Sequence, residues 1–246
     1  MILKKCPICE FNFIRESEEC CSVCAANEIR QKERLEENTQ FKGELLNKFN
    51  SYNFIGFLHT TNLSNFVKIY EDGFLFSREY MMQNNIKFED NAMPEVINIT
   101  NEFVKHNVRF YYRIKTPTNY RAYHSYNQSN PVLLVFDKKI IFDDDVAFSD
   151  GCAASNKSTI TKNAETAINF KWEDIFSQTP LTEEEVIMNM MGNGPTRYRN
   201  AEFLYPIKIS IDKVNKIYFK NKADMDYAVN ILGVDDRFEV NALMFC

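Results

Sequence analysis

Arg197-Tyr198-Arg199-Asn200-Ala201-Glu202-Phe203-Leu204 places one glutamate at the mouth of an apolar strand, behind two arginines and a Gly/Pro-rich loop, Gly192 to Pro195. Far upstream, Phe57-Leu58-His59-Thr60-Thr61-Asn62-Leu63 sets a histidine and two threonines at the end of another hydrophobic run. A polar group held at a sheet edge can face a ligand while the strand behind it keeps it rigid, so both runs point to an enzyme. Outward from them, the hydrophobic pattern predicts strands over Phe54–His59, Phe74–Ser77, Val108–Ile114, Pro131–Phe136, Lys139–Phe142, Glu202–Ile209, Val214–Phe219 and Phe238–Phe245. Helices are predicted over Asn62–Tyr70, with Asn62 or Ser64 as its cap, over Glu183–Met191 and over Lys222–Leu232. Tyr80 to Asn101 reads as irregular. Short strands with unevenly placed helices favour an α+β fold over a doubly wound parallel sheet. No GxGxxG follows a strand and no GxxxxGKS/T is present, which argues against Rossmann and P-loop sites.

The chain has 246 residues, 45% of them hydrophobic, with 21 Phe and 12 Tyr. That excludes a disordered polar chain and suffices for one substantial domain with a small appendage. No apolar stretch approaches the roughly 20 residues that span a bilayer, and Met1 to Lys5 leads into no secretory h-region. The expectation is a soluble cytoplasmic protein without a membrane partner. A net charge of -5 argues against coating nucleic acid by bulk attraction, so distribution matters more than the total. From Phe103 to Phe136 there is no Asp or Glu, while Lys105, Arg109, Arg113, Lys115 and Arg121 interleave with Tyr111, Tyr112, Tyr120, Tyr123 and Tyr126. Cations that meet phosphates and rings that stack on bases suit a single strand. An ordinary wetted strand with half-buried tyrosines fits the same composition. A second basic run, Lys208 to Lys222, reads as a solvated face.

Cys6-Pro7-Ile8-Cys9 and Cys21-Ser22-Val23-Cys24 form a CxxC pair of motifs with eleven residues between them. Four thiolates at that spacing, Cys6, Cys9, Cys21 and Cys24, can hold one structural zinc and fold a segment too small for its own core. Cys20 is an alternative to Cys21, though the two-residue spacing to Cys24 favours Cys21. Cys152 and Cys246 read as ordinary thiols. Ala25 to Phe49 reads as a long helix with Ile29, Leu35, Phe41, Leu45, Leu46 and Phe49 as its apolar stripe. The expected organisation is a zinc-knuckle module at 1–25, a connecting helix at 26–50 and the main domain at 51–246.

Several blocks, in order, resemble the DarT family of NAD-dependent nucleic-acid ADP-ribosyltransferase toxins. His59-Thr60-Thr61-Asn62-Leu63-Ser64-Asn65-Phe66 is similar to its opening HxTxxxNL block, with Phe66 where Leu is usual. Gly73-Phe74-Leu75-Phe76-Ser77-Arg78 resembles its GLLSR turn, and Val108 to Pro117 its strand and TPM block, with Thr118 in place of Met. Ser149-Asp150-Gly151-Cys152-Ala153-Ala154 resembles SDGNAA with Cys152 for Asn, and Arg199 to Leu204 resembles RxAEFL. The N-terminal cysteine motifs depart from the family pattern.

The resemblance implies the ADP-ribosyltransferase fold, a split pair of antiparallel sheets with NAD in the cleft. It implies transfer of ADP-ribose to a nucleobase of single-stranded DNA, with RNA open beside it. Glu202 is then the catalytic glutamate, with Arg78 and His59 beside it; His59, Thr61, Asn65 and Arg78 hold NAD. Arg109, Arg113, Lys115, Tyr120, Arg121, Arg197 and Arg199 are the candidate nucleic-acid contacts, and Asp150 caps the next segment or organises the cleft. His106 and His124 have no matching role. A cognate antitoxin carrying a macrodomain-like hydrolase is the implied partner, and defence against phage an extension. Two other readings remain: a same-fold enzyme that modifies protein, and a noncatalytic zinc-bearing nucleic-acid-binding protein.

Overall fold

The computed structural model describes residues 3–89, 100–119, 130–179, 184 and 196–245. Tyr120, Arg121, Tyr123, His124, Tyr126, Cys246 and all but one residue of the expected helix Glu183–Met191 lie outside that set.

Strands β1 (Leu3–Lys5) and β2 (Phe13–Arg15) form an antiparallel hairpin beside the cysteines. Helix α1 (Ser22–Ser51) leaves this module and behaves as two halves. Positions 26–37 are exposed throughout, Ile29 and Leu35 included. The expected stripe therefore fails in this half: a six-residue step turns about 240° around a helix, so these two side chains share no face. Leu45 and Phe49, by contrast, are fully buried in the main core, and Phe49 packs on Trp172 with ring centroids 4.5 Å apart. Each such side chain contributes about 1.5–3 kcal/mol through burial. Lys42 is buried beside them; it donates to the Asp143 carbonyl at 2.9 Å, and burial lowers its ammonium below the ordinary lysine value.

The body opens with β3 (Phe57–Asn62) and α2 (Leu63–Asp72). Of the two expected caps Asn62 is the one used, accepting from the Asn65 N–H at 2.8 Å. Gly73 ends α2 at φ 72, a left-handed position that suits glycine. Strand β4 (Phe74–Phe76) leads into α3 (Arg78–Gln83), so the segment expected to be irregular begins as a helix capped by Ser77. Next come α4 (Glu102–Lys105), β5 (Asn107–Tyr111) and β6 (Pro131–Phe136). The expected strand Lys139–Phe142 is a 3-10 helix, Lys138–Phe142, because the Asp137 carboxylate accepts from the Lys139 N–H at 2.7 Å and closes the turn. Then follow β7 (Ala147–Ser149), β8 (Ile160–Thr161), α5 (Ala164–Ile168), α6 (Trp172–Phe176) and α7 (Thr196–Arg199). The expected strand Glu202–Ile209 is two strands, β9 (Glu202–Pro206) and β10 (Lys208–Ser210), broken at Ile207 with φ 57. Strand β11 (Val214–Phe219), α8 (Lys222–Leu232) and β12 (Phe238–Val240) close the fold, and a 3-10 turn over Ala242–Phe245 replaces the rest of the expected last strand.

The main sheet has the order β12-β11-β6-β3-β5-β9-β7-β8, while β10 leaves it to pair with β4. Its pairs are antiparallel except β11 with β12, which the crossover through α8 makes parallel. The centre of the sheet is its weakest joint. Strand β3 pairs with β6 over six positions and β5 with β9 over five, yet β3 and β5 share only Leu58–Tyr111. The sheet therefore divides into two halves there, as the split-sheet fold requires. Among the described residues no helix is long and apolar enough to cross a membrane.

Candidate active site

Alternation along β5 and β9 sends Phe110 and Phe203 into the core and Arg109, Tyr111 and Glu202 to the other face. Tyr111 lies directly opposite Glu202, which brings Arg109 next to the carboxylate. One Arg109 Nη2 donates to both Glu202 oxygens, at 2.7 and 2.9 Å, and the Ala153 N–H donates to Oε2 at 2.7 Å. The Glu202 side chain is only 2% exposed, against 32% for Arg109. Burial disfavours the Arg109 charge, but the facing carboxylate outweighs it and leaves the group more basic than usual. The Tyr112 hydroxyl donates to the main-chain carbonyl of Glu202 at 3.1 Å, fixing the strand beneath the side chain.

Arg109 also joins the two halves of the sheet. His59 Nδ1 lies 3.1 Å from the Arg109 carbonyl, which can only accept, so Nδ1 donates and Nε2 of the neutral ring is left as an acceptor. Burial lowers the imidazole below its ordinary value; the hydrogen bond opposes this and the Arg109 charge adds to it. His59, Arg109 and Glu202 are thus one connected group around the joint.

The other expected NAD contacts are placed differently. Thr61 is buried on β3. The Asn65 side-chain amide donates to the Glu89 carbonyl and accepts from the Glu89 N–H, both at 2.8 Å. Asn62 donates to the Glu89 carboxylate at 2.7 Å, so both asparagines hold one segment. Arg78 opens α3, half-buried, with its guanidinium 5.5 Å from the centroid of the Phe88 ring.

The expected nucleic-acid contacts divide sharply. Lys115 is exposed. Arg113 is turned inward and buried, donating to the carbonyls of Ile175 at 3.2 Å and Ser177 at 2.5 Å. The reason is the C-terminus of α6, whose last carbonyls lack helical partners. Burial, with the Arg199 charge, pushes Arg113 down to about 10. Arg113 is therefore a structural residue and not a free phosphate contact. Arg197 pairs with Asp150 at 2.7 Å and stacks over Tyr198, and Arg199 donates to the Thr179 carbonyl at 2.7 Å. Tyr112, a candidate for stacking on bases, is in the core. His106 is exposed.

Asp150 serves the segment that follows it and the one before Glu202 alike: one oxygen accepts from the Thr159 N–H at 2.8 Å and the other holds Arg197 at 2.7 Å. Gly151 permits this approach, because a Cβ there would lie 2.9 Å from Arg197 Cγ. Asn200 accepts from the N–H and hydroxyl of Thr118, at 3.1 and 2.9 Å, tying the residues before Glu202 to the TPT turn. Ala153 carries no side-chain signal for its role, since its contribution is a main-chain N–H. Cys152 sits beside this group; burial, then the Glu202 charge, raises its thiol.

In the N-terminal module the Sγ atoms of Cys6, Cys9, Cys21 and Cys24 all lie within 4.8 Å of one another, with Cys6–Cys24 and Cys9–Cys21 at 3.9 Å. A tetrahedron of sulfurs about 2.3 Å from a zinc has edges of about 3.8 Å, so the four fit such an ion. Asn12 Nδ2 and the Cys21 N–H each donate to one of these sulfurs at 3.3 Å. Cys20 packs beside the four without joining them.

Comparison with known proteins follows the same lines. No curated protein sequence matches the chain. Among solved structures, DarT of Thermus sp. 2.9 in complex with ADP-ribosylated ssDNA aligns with a TM-score of 0.64 at 14% identity, over 79% of this chain and 97% of that one. The same Thermus protein in complex with NAD+ gives 0.58 at 14% identity, over 77% and 96%. Thermosipho africanus DarTG in complex with ADP-ribose gives 0.63 at 16% identity, over 78% of this chain and 51% of that longer one. These likenesses establish the shared fold. The family model described as "ssDNA thymidine ADP-ribosyltransferase, DarT" matches residues 58–246, and the chain therefore belongs to the DarT family of ADP-ribosyltransferases.

Proposed function

We propose that this chain transfers ADP-ribose from NAD to a thymidine base of single-stranded DNA and releases nicotinamide. The observation that carries the reading is the buried Glu202 carboxylate, gripped by Arg109 and the Ala153 N–H where the sheet divides. When the bond from the ribose to nicotinamide breaks, its electron pair leaves with nicotinamide and positive charge grows on the sugar. A fixed carboxylate in a site poor in water stabilises that charge. A thymine ring offers one N–H nitrogen as nucleophile; its attack forms the new glycosidic bond and releases a proton, which Glu202 accepts. In a duplex that N–H is committed to pairing, which suits an unpaired strand.

In this reading His59 uses Nε2 to accept a hydrogen bond from the nicotinamide ribose or amide, and Thr61 adds a hydroxyl. Arg78 holds a phosphate of NAD or DNA. Asn65 acts on NAD through the Glu89 segment that it clamps. Lys115 and Arg197, with Tyr120, Arg121 and Arg199, serve the DNA strand. Residues 1–25 form a zinc module on Cys6, Cys9, Cys21 and Cys24, 26–50 connect it, and 51–246 form the catalytic domain. The zinc is a structural cross-link, since protein thiolates fill all four positions. A toxin of this kind pairs with an antitoxin, and a macrodomain-type hydrolase is the partner that the family resemblance favours.

The test is incubation of the zinc-loaded chain with labelled NAD and matched single-stranded DNA and RNA pools, beside Glu202→Gln. Label on thymidines of DNA, lost in the variant, supports the proposal. Label on RNA alone changes the substrate, and intact NAD with neither pool labelled sinks the transferase reading.

A further inference from the structure

One surface of the N-terminal module has no part in the site described above. The hairpin register pairs Leu3 with Arg15, Lys4 with Ile14 and Lys5 with Phe13. Cross-strand partners share a face and successive residues alternate. Ile14 is 4% exposed and packs on Cys6, Cys21 and Cys24, so its face covers the cysteines. The opposite face carries Leu3, Lys5, Phe13 and Arg15, an aromatic ring and a leucine set between two cations with no carboxylate among them. Phe13 is 64% exposed, and Phe11 in the adjoining turn is 88% exposed, the highest value for a large hydrophobic among the described residues. Among those residues no ion pair engages Lys5 or Arg15; Glu18, at the end of the hairpin, accepts from the main-chain N–H of Arg15.

Two features indicate what covers this face. A protein-binding patch is depleted of lysine at its centre, whereas here Lys5 lies directly opposite Phe13. The exposed half of α1 has no continuous apolar face through which a second copy would pair, since Ile29 and Leu35 point apart. Rings flanked by cations are the recurrent means of holding a single strand, with bases on the rings and phosphates on the charges. We propose that the Leu3–Lys5/Phe13–Arg15 face, extended by Phe11, is a stacking platform for single-stranded DNA that flanks the segment being modified. This rests on the single-stranded DNA reading above. The four-cysteine cluster fixes the rear of the hairpin. The first hydrogen bond from α1 to the body, Asn38 Oδ1 accepting from the Ala164 N–H at 2.7 Å, lies fourteen residues beyond Cys24. That is about 21 Å of helix, so the platform requires a strand longer than the segment held at Glu202.

The test uses the full zinc-loaded chain with Phe11→Ser/Phe13→Ser and Lys5→Ser/Arg15→Ser as double variants, each checked for retained zinc. Fluorescence anisotropy with labelled oligothymidylates of about 6 and about 30 nucleotides gives affinities. The ring variant weakens the long oligonucleotide about tenfold and leaves the short one unchanged. The charge variant makes the dependence of log Kd on log salt shallower by about 1.4 for the long oligonucleotide only. Equal long-strand affinity in parent and variants overturns the platform. So does concentration-dependent self-association of the parent that the ring variant abolishes, which would make the face a contact between copies. If the parent transfers no label to DNA, the functional reading fails instead, and anisotropy still decides the platform.

Discussion

The N-terminal module and the split-sheet body are held together by different physics. In the body, Phe49, Phe57, Tyr112, Trp172 and Phe203 are all at most 2% exposed and touch ring to ring, so apolar burial does most of the stabilising. In the module, Ile14 and the cysteines are nearly all that is buried, while Leu3, Ile8, Phe11, Phe13 and Val23 are at least half exposed. A segment this small does not bury enough surface to fold on its own core, and four sulfurs spaced to hold one ion offer what the core lacks. The two regions teach that exposed hydrophobics mean different things in each. In the body they are scattered singly over the surface; in the module Leu3, Phe11 and Phe13 lie on or beside one hairpin.

The comparison can be broken most directly by removing metal. Structural zinc binding is worth on the order of 10–16 kcal/mol in small modules. Chelation is therefore expected to unfold residues 3–24 and leave the melting of the body unchanged, read by limited proteolysis with mass mapping beside a thermal scan. Cooperative loss of both regions would show that they are one folding unit. Phe49→Ala tests the body in turn. Emptying that site costs about 3–5 kcal/mol, seen as a lower denaturation midpoint for the body with the zinc retained.

Glu202→Gln addresses chemistry more than folding. It keeps the shape and removes the charge, so ADP-ribosyl transfer is expected to fall about 10²–10³-fold, measured as label transferred per unit time at unchanged zinc content. Activity within a few fold of the parent would remove Glu202 from the catalytic role. The smallest expected effect concerns pH. The folded His59 pKa is lowered, so the unfolded chain binds the proton more readily. The contribution of His59 to stability is full above its unfolded value of about 6.5 and is lost as pH falls below it. Denaturant midpoints between about pH 5 and 7.5 should slope upward with pH, and His59→Gln should flatten that slope. A slope unchanged by the substitution would assign it to other groups.

Much of the site was legible in the chain. Glu202 at the start of an apolar strand and the CxxC pair were readable because the chemistry of each is local. Asn62, one of two expected caps, was legible for the same reason. Arg109 and Arg113 were not. On one basic strand they read as equivalent, but one turns to a carboxylate on β9 and the other to the end of α6, partners 93 and 62 residues away in the chain. No pattern within a strand records which partner a folded neighbour will present.

By itself, then, the sequence determined the residue types of the site, the alternation that aims them and the thiol spacing that fits a metal, since spacing and chirality govern all three within a few residues. Tertiary structure alone decided that Arg109 faces Glu202, that Asn65 clamps Glu89 and that β10 leaves the main sheet at Ile207. It also decided that the sheet divides between β3 and β5, at the single Leu58–Tyr111 pair. Those outcomes depend on which distant segments compete for the same buried space and hydrogen bonds, and that competition is settled only when the whole chain packs.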